Sequence, residues 1–314
     1  MFFRTLRRQS TRRVLVHGLP YFGTMFANLM NGDGWQFWYY PDAGISNLAA
    51  MARDLRACDL AYQIGGRVTA GKFLHVAHLL KKNKIVMHWV GSDTVDERNH
   101  VAEGKAEPWI RQDVHHWAES DWMSREVESL GLPCELVPLP SSRVPDRPSP
   151  LPGEFSVLIY MPAVNRGALY GLDRMLQVAR GLPHIPFELV GLLEGAIPDP
   201  PPNLLIYGRI PNLAAFYERA SVVWRPVRHD GLSFMVLEAL GYGRHVLWSY
   251  PFPGCLQVAC ACEAQYEIAR LHALHQQRRL EINRAGVQAV AKGGYLPQYL
   301  KGKILARLEQ ILES

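Results

Sequence analysis

Between Pro140 and Pro152 the chain carries five prolines in thirteen residues. Proline fixes φ and has no amide proton to donate, so no helix or central strand runs through that stretch. The fold is therefore interrupted there, and each flanking half must build its own core. Both halves read alike. The first alternates helical stretches with short apolar runs: Arg13–Gly18, Trp35–Tyr40, Asp59–Ile64, Lys84–Val90, His115–Glu119 and Glu135–Leu139. The second does the same with Glu154–Tyr160, Phe187–Val190, Asn203–Tyr207, Ser221–Trp224 and a run at His245-Val246-Leu247. Runs such as IVMHWV and FSVLIY suit strands covered on both faces, which is the signature of parallel sheets with crossover helices. The expected class is α/β, with two Rossmann-like doubly wound domains. The boundaries read as a basic tail at 1–12, a first domain at 13–139, a proline-rich linker at 140–153, a second domain at 154–294 and a C-terminal helix at 295–314. That last helix could pack against either domain.

Length and composition narrow the function. A chain of 314 residues can bury two cores of ordinary size, and 48% hydrophobic with 20% charged residues is a globular balance. No apolar run approaches the roughly 18 residues of a membrane helix, and the start lacks the apolar core of a secretory signal. Five cysteines in a chain this long suggest no disulfide framework, which points to a cytoplasmic setting. The net charge of +5 sits in Arg4, Arg7, Arg8, Arg12 and Arg13, and elsewhere 29 basic residues face 29 acidic ones. A neutral body argues against a nucleic-acid footprint. With Phe2, Phe3 and Leu6 among its arginines, the tail reads as a solvated arm or as a peripheral contact with an anionic membrane surface.

Chemistry concentrates in Arg225–Ser249, RPVRHDGLSFMVLEALGYGRHVLWS. It reads as a loop, a helix opening at Gly231, a glycine C-cap and a buried strand. Asp230 and Glu238 stand eight positions apart, about 2.2 helical turns, which brings both near one face. Asp230 lies at the loop's end beside the helix N-terminus, where unpaired N–H groups favour an anion such as a phosphate. In the first half, Gly23 is expected just before a helix N-terminus. His88 lies inside the fourth strand, with Gly91, Ser92 and Asp93 at its carboxyl end, the edge where open α/β sheets bind ligands. No D-x-D triplet occurs, so no metal is implied on a diphosphate. Cys255, Cys260 and Cys262 lack the histidines or second cysteine pair of a zinc site and read as buried thiols.

Asp230–Gly243, DGLSFMVLEALGYG, resembles the E-x7-E signature of the retaining, GT-B-fold glycosyltransferases of family 4, here as D-x7-E. Upstream, YGRIPNLAAFYERASVVWRPV is similar to that family's segment before the signature. HWVGSD and HWAESDWMSREVESLGLP are similar to its first-domain stretches. The resemblance implies two domains facing across a cleft and a hexosyl-transferring enzyme. That enzyme would pass a sugar from a nucleotide-sugar donor to a glycan, lipid-linked or other acceptor, with retention and with neither cofactor nor metal. It implies that Glu238 binds the ribose, Asp230 the transferred sugar, and Gly231, Leu232 and Ser233 the diphosphate through backbone N–H groups. Arg166 would neutralise the leaving diphosphate. Gly23 would let the first domain approach the donor, with His88 and Asp93 near the sugar. Tyr170 stands where the family has a second cation, a lysine, so Arg209, Arg225 or Arg228 is expected to compensate. Two rivals follow from these departures: a non-catalytic nucleotide-sugar-binding subunit, and an epimerase or phosphorylase on the same architecture.

Overall fold

The computed structural model describes residues 11–41, 47–141 and 143–314. Of the basic tail, Arg4, Arg7 and Arg8 lie outside the described residues, so the membrane reading rests on the sequence alone. Arg12 and Arg13 belong to the first strand: Arg12 pairs with Glu309 at 2.7 Å and the Arg13 amide donates to Asp59 at 2.7 Å. Among the described residues no helix is long and apolar enough to cross a membrane.

The chain divides into two compact units, residues 1–142 with 297–314, and residues 143–296. Unit 1 contains β1 (Arg12–Gly18), α1 (Pro20–Met30), β2 (Trp35–Tyr39), α2 (Leu48–Ala57), β3 (Leu60–Ile64), α3 (Lys72–Leu79), β4 (Ile85–Trp89), α4 (Asp93–Ala102), α5 (Pro108–Asp113), β5 (His115–Ala118), α6 (Asp121–Ser129) and β6 (Cys134–Leu136). Its strands form one parallel sheet in the order β2-β1-β3-β4-β5-β6. Every residue of β3 and β4 is buried, which is why those segments are apolar without alternation.

Unit 2 contains β7 (Val157–Tyr160), a 3₁₀ turn (Val164–Arg166), α7 (Gly167–Tyr170), α8 (Leu172–Gly181), β8 (Phe187–Val190), β9 (Leu204–Ile206), α9 (Ala214–Arg219), β10 (Val222–Arg225), α10 (Phe234–Gly241), β11 (His245–Trp248), β12 (Cys255–Gln257), α11 (Ala261–Gln276) and α12 (Arg284–Lys292). Its parallel sheet runs β12-β11-β10-β7-β8-β9. Helix α13 (Pro297–Glu313) returns to unit 1 and packs on α1, where Lys301 donates to the Asn31 carbonyl at 2.7 Å.

The proline-rich segment is laid down on unit 2 rather than standing free. Val144 is buried, the Ser149 amide donates to the Tyr242 carbonyl, and His275 Nε2 bonds the Pro152 carbonyl at 2.9 Å. Arg244 is the clamp. Fully buried, its guanidinium donates to the Ser149 carbonyl at 2.7 Å, the Pro150 carbonyl at 2.8 Å and the Ser149 hydroxyl. Desolvation holds its pKa down at about 10. Arg244→Met retains the aliphatic volume and leaves those acceptors unpaired, so unfolding free energy is expected to fall by about 2–4 kcal/mol in urea titrations.

Several expectations need correction. Helix α1 starts at Pro20, because proline suits the first helical position, so Gly23 lies inside the helix rather than before it. Asp93, expected at the carboxyl end of the fourth strand, opens a helix over 93–102 that has no sign in the sequence, with Asp93 and Asp96 in its first turn where the dipole favours them. Helix α10 begins at Phe234, three residues after Gly231. Asp230 is therefore not helical, and the one-face argument for Asp230 and Glu238 does not apply. Cys260 and Cys262 are joined in a disulfide rather than standing as thiols, while Cys58, Cys134 and Cys255 are free.

Candidate functional site

In unit 2 the chain order leaves β7 in two opposite directions, toward β8 and β9 on one side and toward β10, β11 and β12 on the other. Connections from β7 and β10 therefore diverge and open a crevice beyond their carboxyl ends, the position where doubly wound sheets take ligands. The two segments there are residues 161–171 and 226–233, which hold most of the donor-side residues named from the sequence.

They are fastened together. Gly171 adopts φ +72°, and a Cβ there would stand 2.1 Å from the Pro226 carbonyl oxygen, so only glycine allows the approach. The Arg228 amide donates to the Leu169 carbonyl at 2.8 Å, and its guanidinium reaches the Ala168 carbonyl and, at 2.7 Å, Asp173. Arg228 is thus a brace between the segments. Its exposed ion pair contributes at most about 1 kcal/mol. Arg166 ends the 3₁₀ turn and is exposed. Tyr170 closes α7 half-buried, edge-on to Tyr160 with centroids 6.2 Å apart.

Beneath lies a buried ion pair that the sequence did not pair. Arg225, last in β10, grips Asp230 with both forks, Nε to Oδ2 at 2.5 Å and Nη2 to Oδ1 at 2.9 Å. The Arg225 Cζ stands 5.4 Å from the Tyr170 ring centroid. Burial alone would lower the Arg225 pKa, but the charge and hydrogen bonds of Asp230 overcome that and hold it above its ordinary value. The Tyr250 hydroxyl accepts from the Asp230 amide at 3.2 Å, so the loop is fixed on both sides of the carboxylate.

From this loop the chain enters α10. Ser233 is the N-cap but makes no side-chain capping bond, and no acid lies in the first turn. Gly231, Leu232 and Ser233 are buried and lead into this uncapped terminus. All of Met235–Gly241 is buried, as a helix apolar on every side should be. The exception in chemistry is Glu238, 4% exposed, which accepts from the Tyr217 hydroxyl at 2.8 Å. Tyr217 in turn stacks on Tyr242 with centroids 5.2 Å apart. Tyr217 and Tyr250 were given no role from the sequence, because spacing along the chain says nothing about partners 20 residues away.

In unit 1 the expected residues are placed differently. Gly23 donates to the Leu19 carbonyl at 2.8 Å, and a Cβ there would come 2.5 Å from the Tyr39 ring. It is a packing glycine. His88 is fully buried in β4, bonded to the Tyr62 hydroxyl at 2.7 Å and edge-on to Trp117. Burial holds its pKa down to about 3, so it stays neutral in the core. Asp93 accepts from the Gly66 and Val90 amides at 2.6 and 2.9 Å. It belongs to a row of acids that pin the loop after β3, with Glu97 on the Val68 amide and Glu107 on the Ala70 amide.

Desolvation pushes the Asp93 pKa up to about 7. An acid whose folded pKa is raised destabilises the fold as it ionises, so stability should fall as pH rises from about 4 to 7. Urea melts at pH 5.5 and 7.5 are expected to show a drop of about 2 kcal/mol that Asp93→Asn removes. Among the described residues, no group of three or more His, Cys, Asp or Glu side chains is arranged to hold a metal.

No protein-family profile and no curated protein matches the sequence. Solved structures do match. Sucrose-phosphate synthase from Thermosynechococcus elongatus is 12% identical over 96% of this chain and 99% of its own, with a TM-score of 0.72. A glycosyltransferase from Rickettsia africae is 9% identical over 97% and 100%, with a TM-score of 0.67. An alpha-glucosyltransferase in complex with UDP and a 13-mer DNA is 10% identical over 97% and 100%, with a TM-score of 0.58. The two parallel sheets of six strands and these likenesses show an α/β fold of the GT-B kind.

Proposed function

We propose that this protein is a glycosyltransferase whose unit 2 binds a nucleotide-sugar donor and whose acceptor is a glycan, a lipid-linked sugar or another hydroxyl compound. Transfer proceeds with retention of anomeric configuration and without a metal ion. The observation that carries this reading is the uncapped N-terminus of α10, set at the β7/β10 switch point beside the Arg225–Asp230 pair. A UDP complex among the matched structures supports the donor class.

The chemistry divides among this chain's residues. Glu238 accepts from the ribose hydroxyls, a role suited to a carboxylate, which accepts at both oxygens. The N–H groups of Gly231, Leu232 and Ser233 and the α10 dipole take the diphosphate, and Arg166 adds an exposed cation as negative charge grows on the leaving group. Asp230, gripped by Arg225, is the carboxylate that faces the sugar. The lysine of the family is replaced by Tyr170, which brings no charge. Arg225 supplies a positive group on that side, but Asp230 neutralises it, so it orients the loop more than it stabilises the leaving diphosphate. Arg228 is spent on bracing. Contact of the Arg-rich tail with an anionic membrane remains part of the proposal for a lipid-linked acceptor.

The test is a panel of nucleotide sugars with and without acceptor sugars and lipids. Release of nucleoside diphosphate only when acceptor is present is expected. Donor binding with no transfer or hydrolysis across the panel would assign the chain to a binding subunit, which the occupied Asp230 and the uncharged Tyr170 favour. Acceptor-independent change of the donor would assign it to an epimerase.

A further inference from the structure

At the amino end of β7, the opposite end of that strand from residues 161–171, Phe155 is bordered by two histidines, with a third beside one of them. His272 and His275 of α11 stand edge-on to its ring, with centroids at 5.1 and 5.5 Å. His184, in the loop between α8 and β8, lies 5.3 Å from His272, the two rings tilted by 54°. His275 is committed, because its Nε2 bonds the Pro152 carbonyl. His184 is exposed. One helical turn beyond His272, the Gln276 amide nitrogen lies 3.2 Å from His272 Nε2.

We propose that His184, His272 and Gln276 form a binding site for a borderline divalent transition metal such as Zn²⁺, which clamps the loop before β8 to α11. The ring separation fits. A zinc–nitrogen bond is about 2.0–2.1 Å, which puts each imidazole centroid about 3.2 Å from the metal. At a tetrahedral angle two such centroids stand about 5.2 Å apart, against the 5.3 Å found here. Positions 272 and 276 repeat the i, i+4 spacing by which one helix face presents two ligands to zinc. Rotation of the Gln276 amide turns Oε1, in place of its nitrogen, toward the same point, and water completes the shell.

Packing makes the two carriers rigid enough to matter. Helix α8 packs on α11 and ends at Gly181, which leaves only a short stretch from that helix to His184. Two histidines and an amide are a weaker set than three histidines. That set binds metal without unfolding or reordering either element, and it selects Zn²⁺ over Mg²⁺, which prefers oxygen ligands.

The experiment uses the full untagged chain, stripped with EDTA, and thermal melts with Zn²⁺ or Mg²⁺. Zn²⁺ at tenfold over its dissociation constant is expected to raise Tm by about 4 °C, with no effect of Mg²⁺. Both His184→Ala and His272→Ala should abolish the rise, and Gln276→His, which completes three histidines, should tighten binding at least about tenfold by calorimetry. Absence of a Zn²⁺-dependent shift in the wild type overturns the proposal, and so does a shift that survives either histidine substitution. Because His184 lies on an exposed loop, its variant folds whatever the outcome.

Discussion

Arg225→Met is expected to lower the unfolding free energy by about 3–5 kcal/mol, the largest effect of any single substitution in the donor loop. The cause is not the loss of an attraction alone. Asp230 is buried, and both of its oxygens are bonded to the one guanidinium, so removal of the arginine strands a carboxylate in a medium that cannot hydrate it. A double variant, Arg225→Met with Asp230→Leu, should recover most of that loss, because an apolar pair carries no desolvation penalty. Urea titrations of the four proteins in the cycle supply the coupling energy. A single-variant loss below about 1 kcal/mol would mean that water reaches the pair. The double variant should at the same time lose donor binding, which separates the stability of the loop from its use.

The second large effect falls on ligand binding. Glu238→Ala is expected to weaken a nucleoside diphosphate by about 10–100-fold, the worth of one or two hydrogen bonds to a charged acceptor. A 2′,3′-dideoxy nucleotide offers no hydroxyl to that carboxylate, so wild type and variant should bind it alike. Tyr217→Phe leaves the carboxylate but frees its side chain from the 2.8 Å tether, and about a fivefold loss is expected from the disorder that follows. Calorimetry on the three proteins with both nucleotides decides the point. If Glu238→Ala keeps full affinity for the ribose form, the ribose assignment is wrong.

How much of this was legible follows from where each signal lives. Strands buried on both faces must be apolar throughout, so IVMHWV, FSVLIY and the run at His245-Val246-Leu247 announced two parallel sheets, and five prolines marked the break between them. Helix α4 was missed because DTVDERNHVA is polar nearly all round and carries no periodicity to read. Gly23 was placed one turn wrong because Pro20, not the glycine, starts α1. In the site, spacing singled out Asp230 and Glu238 but could not show what each one touches. Arg225 meets Asp230 five residues on, across the turn after β10, while Tyr217 and Tyr250 reach the carboxylate residues only through the placement of α9 and of the segment after β11, which has no local trace. His88, beside the Gly-Ser-Asp turn, is bonded to Tyr62, a partner 26 residues away that spacing along the chain does not reveal.

Helix α13 gives unit 1 a timetable. Unit 2 is one unbroken stretch of chain and can close as soon as its own residues are made, while α1 of unit 1 waits for a partner encoded after all of unit 2. At ribosomal speed that delay is on the order of 10 s. The half of the protein that is synthesised first is therefore the half that finishes last, and until then the face that later covers Leu300, Ile304 and Leu308 stands open to chaperones.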